Sequence, residues 1–321
     1  MTVALVVLAV AFAVVNGANT GSTLLATSLT LTSIGHPVGL VLLAAGVVAG
    51  PLLVGTGVAT TFVEQLSAPG AAGADVAVIV TVAVTLVVVF GLTRLGIPTG
   101  LTLAFVGALA GYALASGADA PWASVLKVLA MMALAPLVGG LIAFVVVGFV
   151  ARHVRTRHAG RSLGRMHLWT FPLLALGYGA SDGQKMLAVA AVATAATPPA
   201  GRVRADVPVL IGLGVLFALG SAAGFRRMAR RVGRGVLPVR PLYAVTAELA
   251  TSAALLGSSA VGAPVGVAQT ITGSLVGAGG SQGWGRVRWD QVGTIVIAWV
   301  VTLPLAFALA AGTGIVVGRM A

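Results

Sequence analysis

The sequence predicts an all-α polytopic membrane protein made of two inverted-topology repeats, each with about five hydrophobic segments and with broken helices at the midplane. Three observations carry this. Of 321 residues, 58% are hydrophobic and only 8% charged, with a mean hydropathy of +1.07, whereas a soluble domain carries roughly 25% charged residues. Landmarks of the first half recur in order in the second. The basic residues cluster on alternate loops.

Apolar runs of spanning length recur from end to end, and runs such as Val76–Phe90 are apolar on every face. A membrane β-barrel would alternate apolar and polar residues, so the segments are helical. In the first half they cover roughly 2–31 (interrupted), 37–62, 74–93, 98–116 and 122–150. The second half repeats them at roughly 168–196 (interrupted), 208–225, 241–261, 264–280 and 292–317. The first fifteen residues lack a positive leading region and read as a first membrane helix, not a cleaved signal.

The repeat rests on spacing. Gly17-Ala18-Asn19-Thr20 returns as Gly179-Ala180-Ser181-Asp182. Gly96-Ile97-Pro98-Thr99-Gly100 returns as Gly262-Ala263-Pro264-Val265-Gly266, and Gly107 and Gly111 return as Gly273 and Gly277. Pro136 is matched by Pro304. The four matches keep their order and a nearly constant offset. The domains are therefore 1–150 and 168–321, joined by a basic linker, 151–167.

An odd number of crossings per half inserts the halves with opposite orientation. Charge agrees. Eleven of the nineteen basic residues lie in Arg152–Arg165 and Arg226–Arg240, and with the N-terminus outside, fourteen basic residues fall on the cytoplasmic side. The positive-inside rule expects that asymmetry. Both termini are predicted external, the basic loops cytoplasmic. The net charge of +12 thus marks topology and contact with anionic lipid. No aromatic interleaving points to nucleic acid. The sequence permits a homo-oligomer without specifying one.

The absence of cysteine excludes disulfides and thiol chemistry. No nucleophile–base set, phosphate-cradling loop or helical metal motif is present, so the chain reads as neither an enzyme nor an ATP-driven pump, and needs no cofactor. His153, His158 and His167 read as solvated interfacial residues, and His36 as isolated at a helix start. The paired glycines have the spacing of close helix packing.

The chemistry is expected where the helices break. Segments 2–31 and 168–196 turn polar and glycine-containing mid-way, and a break exposes half-helix ends whose N–H groups and dipole favour an anion. Segments 98–116 and 264–280 have the same character. Asp182 and Lys185, at i and i+3, face each other on a helix: an ion pair that orders the break, or a cation ligand beside an anion contact. Glu248, inside segment 241–261, is either a proton carrier or a partner for a neighbouring helix.

These residues carry a resemblance. Tyr178-Gly179-Ala180-Ser181-Asp182-Gly183-Gln184-Lys185 resembles the G-A-N-D-x-x-K signature of the PiT inorganic-phosphate transporters, and Asn16-Gly17-Ala18-Asn19-Thr20 resembles its first copy. Gly96-Ile97-Pro98-Thr99 and Gly262-Ala263-Pro264-Val265 are similar to the G-x-P-V that opens that family's S-T-T-H loops. Ala298-Trp299-Val300-Val301-Thr302-Leu303-Pro304 matches its A-W-x-x-T-x-P, and Gly50 to Thr61 follows its G-x-x-V-A-x-T pattern.

The resemblance implies ion-coupled symport of inorganic phosphate with a coupling cation, H+ or Na+, by alternating access. It implies substrate contacts at Asn19, Thr20, Thr99, Thr102, Ser181, Lys185 and Thr270, and coupling-ion contacts at Asp182, Asn16 and Glu248. The sequence departs from the pattern in several places. Thr20 stands for the first aspartate and Ser181 for the second asparagine, and the S-T-T-H loops have become Gly100-Leu101-Thr102-Leu103 and Gly266-Val267-Ala268-Gln269. Two alternatives fit the lost hydroxyls: a permease for another small oxyanion, and a transport-inactive membrane subunit or sensor that keeps the fold.

Overall fold

The computed structural model describes residues 2–28, 31, 33–66, 74–95, 99–117, 122–153, 159–194, 203–232 and 240–320. Among them every regular element is helical. In the first half α1 (Thr2–Asn16) runs through a π-helical turn (Gly17–Gly21) into α2 (Ser22–Ser28). There follow α3 (His36–Val54), α4 (Gly57–Leu66), α5 (Ala74–Arg94), α6 (Leu101–Ser116) and α7 (Trp122–His153). In the second half α8 (Ala159–Tyr178) runs through another π-helical turn (Gly179–Gly183) into α9 (Gln184–Ala193). Then come α10 (Val207–Val232), α11 (Pro241–Ala260), α12 (Val267–Gly280), a 3-10 turn (Trp284–Arg286) and α13 (Trp289–Met320). Six stretches among the described residues are long and apolar enough to cross a bilayer: Thr2–Ser28, His36–Val54, Val76–Arg94, Val125–Arg152, Val207–Arg230 and Trp289–Gly318. The chain is a multi-pass membrane protein.

The two expected breaks are not unwound. Asn16 and Tyr178, which precede them, have right-handed helical backbones, and the turns widen to π geometry, which accommodates one extra residue without ending the helix. Small residues make this feasible, because neighbouring backbones close in. A Cβ added at Gly17 would land on the Phe217 carbonyl of α10, and one at Gly179 on the Gly46 carbonyl of α3. Helix N-termini also lie within segments 98–116 and 264–280, at α6 and α12, whose caps, Gly100 (φ −84°, ψ 113°) and Gly266 (φ −88°, ψ 121°), are extended.

Three further boundaries differ from expectation. Segment 37–62 is two helices, parted at Gly55, whose φ of 96° suits glycine alone. The basic linker is largely helical: α7 reaches His153, and α8 begins at Ala159 with Arg161 and Arg165 outward and Leu163 and His167 inward. That amphipathic pattern lets the helix continue past the apolar segment. Helix α10 also outruns its apolar run and carries Arg226, Arg227 and Arg230. Pro98 of the first proline loop, His158 and Arg202 lie outside the described residues.

The halves are joined by exchanged contacts. Helix α6 packs on α13 and α12 on α7, while α1 packs on α10 and α3 on α8. Added Cβ atoms at Gly107 and Gly111 would meet the carbonyls of Leu303 and Phe307, and those at Gly273 and Gly277 would meet Pro136 and Gly140. Both registers ascend together, so each short helix runs parallel to the long helix of the opposite half. The same holds where Gly220 and Gly224 meet Val14 and Ala18, and where Gly46 and Gly50 meet Ala175 and the Gly179–Ala180 backbone. Glycine is required because, without a hydrophobic driving force in lipid, close backbone approach supplies the packing energy.

Candidate functional site

The site is built around the N-termini of α6 and α12. Each is held to the π turn of its own half by the same contact. The Asn19 amide donates to the Thr99 carbonyl at 2.9 Å, and the Ser181 hydroxyl donates to the Val265 carbonyl at 3.3 Å. Three further contacts at these N-termini join the halves. The hydroxyls of Thr99 and Thr302 are 2.7 Å apart. Lys185 reaches Thr102. Gln269 lies against Gly100.

Lys185 is fully buried. Its ammonium donates to Asp182 Oδ1 at 2.5 Å, to the Val265 carbonyl at 2.7 Å and to Thr102 Oγ1 at 2.8 Å. Those three acceptors match its three protons. An anion contacts Lys185 only by displacing one of them, and the neutral acceptors, Thr102 and Val265, are the weaker holds.

Gln269 is 2% exposed, and neither end of its amide has a protein partner. A Cβ at Gly100 would land on its Nε2, and one at Gly266 on its Oε1. Both helix N-termini therefore meet at this amide. Burying an unpaired amide costs roughly 1–3 kcal/mol, so the position favours a bound polar group. Gln269 is not among the residues expected from the motifs. Its signal was the pairing of two glycines at matching cap positions with one long amide in a third.

The remaining expected residues divide. Thr270 lies in the first turn of α12, and its hydroxyl is used locally, donating to the Gly266 carbonyl at 2.9 Å. Thr20 is buried in the first π turn, at the counterpart of Asp182. Asn16 is buried with both amide atoms unpartnered. Glu248 belongs elsewhere: it accepts from Ser28 at 2.8 Å and Thr170 at 2.5 Å, and lies 2.9 Å from His167 Nδ1.

His167 is thus not a solvated interfacial residue. It is fully buried, because α8 extends beyond its apolar segment and turns this face toward α11. Gln184 was also missed. Its amide accepts from the Ala59 N–H at 3.0 Å and donates to the Gly55 carbonyl at 2.7 Å, satisfying backbone groups freed where α3 and α4 part. Among the described residues, no three His, Asp or Glu side chains are grouped to hold a metal ion.

Two meeting helix N-termini, a free amide and a buried ammonium offer positive potential to an anion. The adjoining carboxylate of Asp182 offers a ligand of opposite sign.

Comparison with known proteins bears on this geometry. The model of the Phosphate transporter family matches twice, at residues 16–171 and 157–310, once on each half. The chain belongs to the phosphate transporter family. One relative in this family, a probable low-affinity inorganic phosphate transporter of Bacillus subtilis, is 25% identical over 320 residues, covering 97% of this chain and 95% of that protein. The counterpart from Mycobacterium leprae is 30% identical over 234 residues, which span 68% of this chain and 55% of that protein. A solved structure described as the sodium-dependent phosphate transporter shares the fold, with a TM-score of 0.80 and 17% identity, covering 100% of this chain and 99% of that one. Family relatives are transporters, not enzymes.

Proposed function

We propose that the chain is a secondary permease that carries inorganic phosphate across the membrane in symport with a cation. The anion sits between the N-termini of α6 and α12, against Gln269 and the first-turn N–H groups, with Thr102 and Lys185 at its side. Asn19, Ser181 and Thr99 hold the two loops in place. Asp182 is the ligand of the coupling cation, sodium or proton. The observation that carries this reading is the meeting of both half-helix N-termini at one unpartnered buried amide beside the Asp182–Lys185 pair.

The halves insert with opposite orientation, both termini external and the basic loops cytoplasmic. The parallel registers of α6 with α13 and α12 with α7 support this, since with α6 and α7 antiparallel across their short connection corresponding elements run in opposite directions. Alternating access then comes from one half moving against the other around a fixed site.

Labelled-phosphate uptake into proteoliposomes, with sodium and pH gradients imposed separately, tests the proposal. Accumulation under at least one gradient is expected. The replacement of family hydroxyls by Gly100, Leu101, Gly266, Val267 and Ala268 favours a second reading, in which another oxyanion is preferred. Competition by arsenate and sulfate separates the two. No uptake of any oxyanion by the folded protein would leave the transport-inactive subunit.

A further inference from the structure

Glu248 and His167 form a second buried polar centre away from the anion site. Along α8 and the following π turn, His167 and Asp182 are separated by about 22 Å of helix. Ser28 from α2, His167 and Thr170 from α8 and Glu248 from α11 converge there, all at most 7% exposed.

The Glu248 carboxyl accepts from Ser28 and Thr170, and its Oε2 stands 2.9 Å from His167 Nδ1. An ionised carboxylate only accepts, so this set fits its charged form. With Nδ1–H donating to Glu248, His167 presents Nε2 as the basic nitrogen, the partner bond setting the tautomer. That nitrogen is buried and has no protein partner. His167 lines a cavity with Leu25, Ser28, Ile34, His36 and Phe171, with room for about one water molecule. Of its lining, Gly35 is exposed and His36 half-buried.

Among the described residues, the titratable groups on the elements packed around the pair are few. Helix α3 contributes His36, stacked on Phe225 of α10 with ring centroids 4.0 Å apart. Tyr178 and the Asp182–Lys185 pair lie at the far end of α8 and the π turn. Tyr243 belongs to a buried apolar cluster with Ala143, Ala250 and Ala278. Arg161, Arg165, Arg240, Arg226, Arg227, Arg230 and Arg152 point outward, and Lys127 and Glu64 are exposed at distant helix ends.

We propose that His167 and Glu248 form a proton-binding site of the transport cycle, exchanging with water from the face that carries His36. A proton from that water adds to the Nε2 lone pair of His167, and Glu248 stabilises the resulting imidazolium through Nδ1–H. No other bond is made or broken. This rests on the proposed phosphate symport and adds a proton to its coupling ions, separate from the cation at Asp182.

Two measurements test it. In proteoliposomes without sodium, a gradient of one pH unit lets each coupled proton raise the phosphate accumulation ratio about tenfold. His167→Gln is therefore expected to accumulate about tenfold less than wild type, with a smaller proton uptake per phosphate read by an internal pH dye. Phosphate's own protonation is common to both proteins and cancels. An unchanged ratio in a folded H167Q would overturn the proposal.

The second measurement needs neither transport nor a folded variant at His167. The carbon-13 signals of the four histidines, assigned by replacing His36, His153 and His158 in turn, are followed across about pH 5 to 8, where an imidazole ordinarily titrates. His167 should respond in wild type, and that response should change in Glu248→Gln. A His167 signal that ignores bulk pH makes the pair a purely structural tie. Wild-type vesicles that move no phosphate under any gradient would count against the symport alone, and the histidine titration would then decide the proton site.

Discussion

Lys185 of the second half donates to Thr102 Oγ1 of the first at 2.8 Å while paired with Asp182 in its own half. The counterpart positions in the first half are Thr20 and Thr23, so the repeat is symmetric in backbone and asymmetric in charge. One buried ion pair serves both halves. That asymmetry confines the proposed cation site to the second half.

Removing one member of a buried pair strands the other, at about 3–5 kcal/mol. Asp182→Asn and Lys185→Gln are each expected to melt well below wild type in detergent. The double variant should recover much of the stability but none of the phosphate uptake. Single variants that melt like wild type would show that the pair is hydrated and not closed as described.

Gly100→Ala places a methyl group on the Gln269 amide. Overpacking of this kind costs roughly 1–3 kcal/mol, and Gln269→Ala in the same chain should relieve it. A double-mutant cycle read by thermal melting is expected to give a coupling of about 1 kcal/mol or more. Additive effects would mean that the two groups do not touch.

At the exchanged helix joints, Gly111→Ala and Gly277→Ala each drive a Cβ into a backbone carbonyl, of Phe307 and Gly140, which no side-chain rotation can relieve. Both should lower the melting temperature, by similar amounts, because the two joints are equivalent. Gly312 has open space around it, so Gly312→Ala should be neutral or stabilising by about 0.5–1 kcal/mol through helix propensity.

Much of this architecture was legible in the sequence. The nearly constant offset between matching landmarks located both π turns, both half-helix loops and the glycine joints, since each needs small residues at fixed positions. The conformation of the breaks was not legible: Gly17–Gly21 reads equally as a coil or a π turn, and the choice depends on how closely α10 approaches. Hydropathy also misplaced His167, because the arginines around it mask an amphipathic helix whose inner face meets Glu248. Gln269 escaped notice because its role depends on Gly100 in the opposite half of the chain, and no local pattern records that contact.

Phosphate binding where the N-termini of α6 and α12 meet at Gln269 is the centre of this account. The most direct measurement is phosphate binding to the purified protein by titration calorimetry, in wild type, Gln269→Ala and Lys185→Gln. Folding of each variant is verified by its melt. The predicted result is binding by wild type, weakened at least about tenfold in each variant, equivalent to about 1.4 kcal/mol. Wild-type affinity in both folded variants would place the phosphate elsewhere.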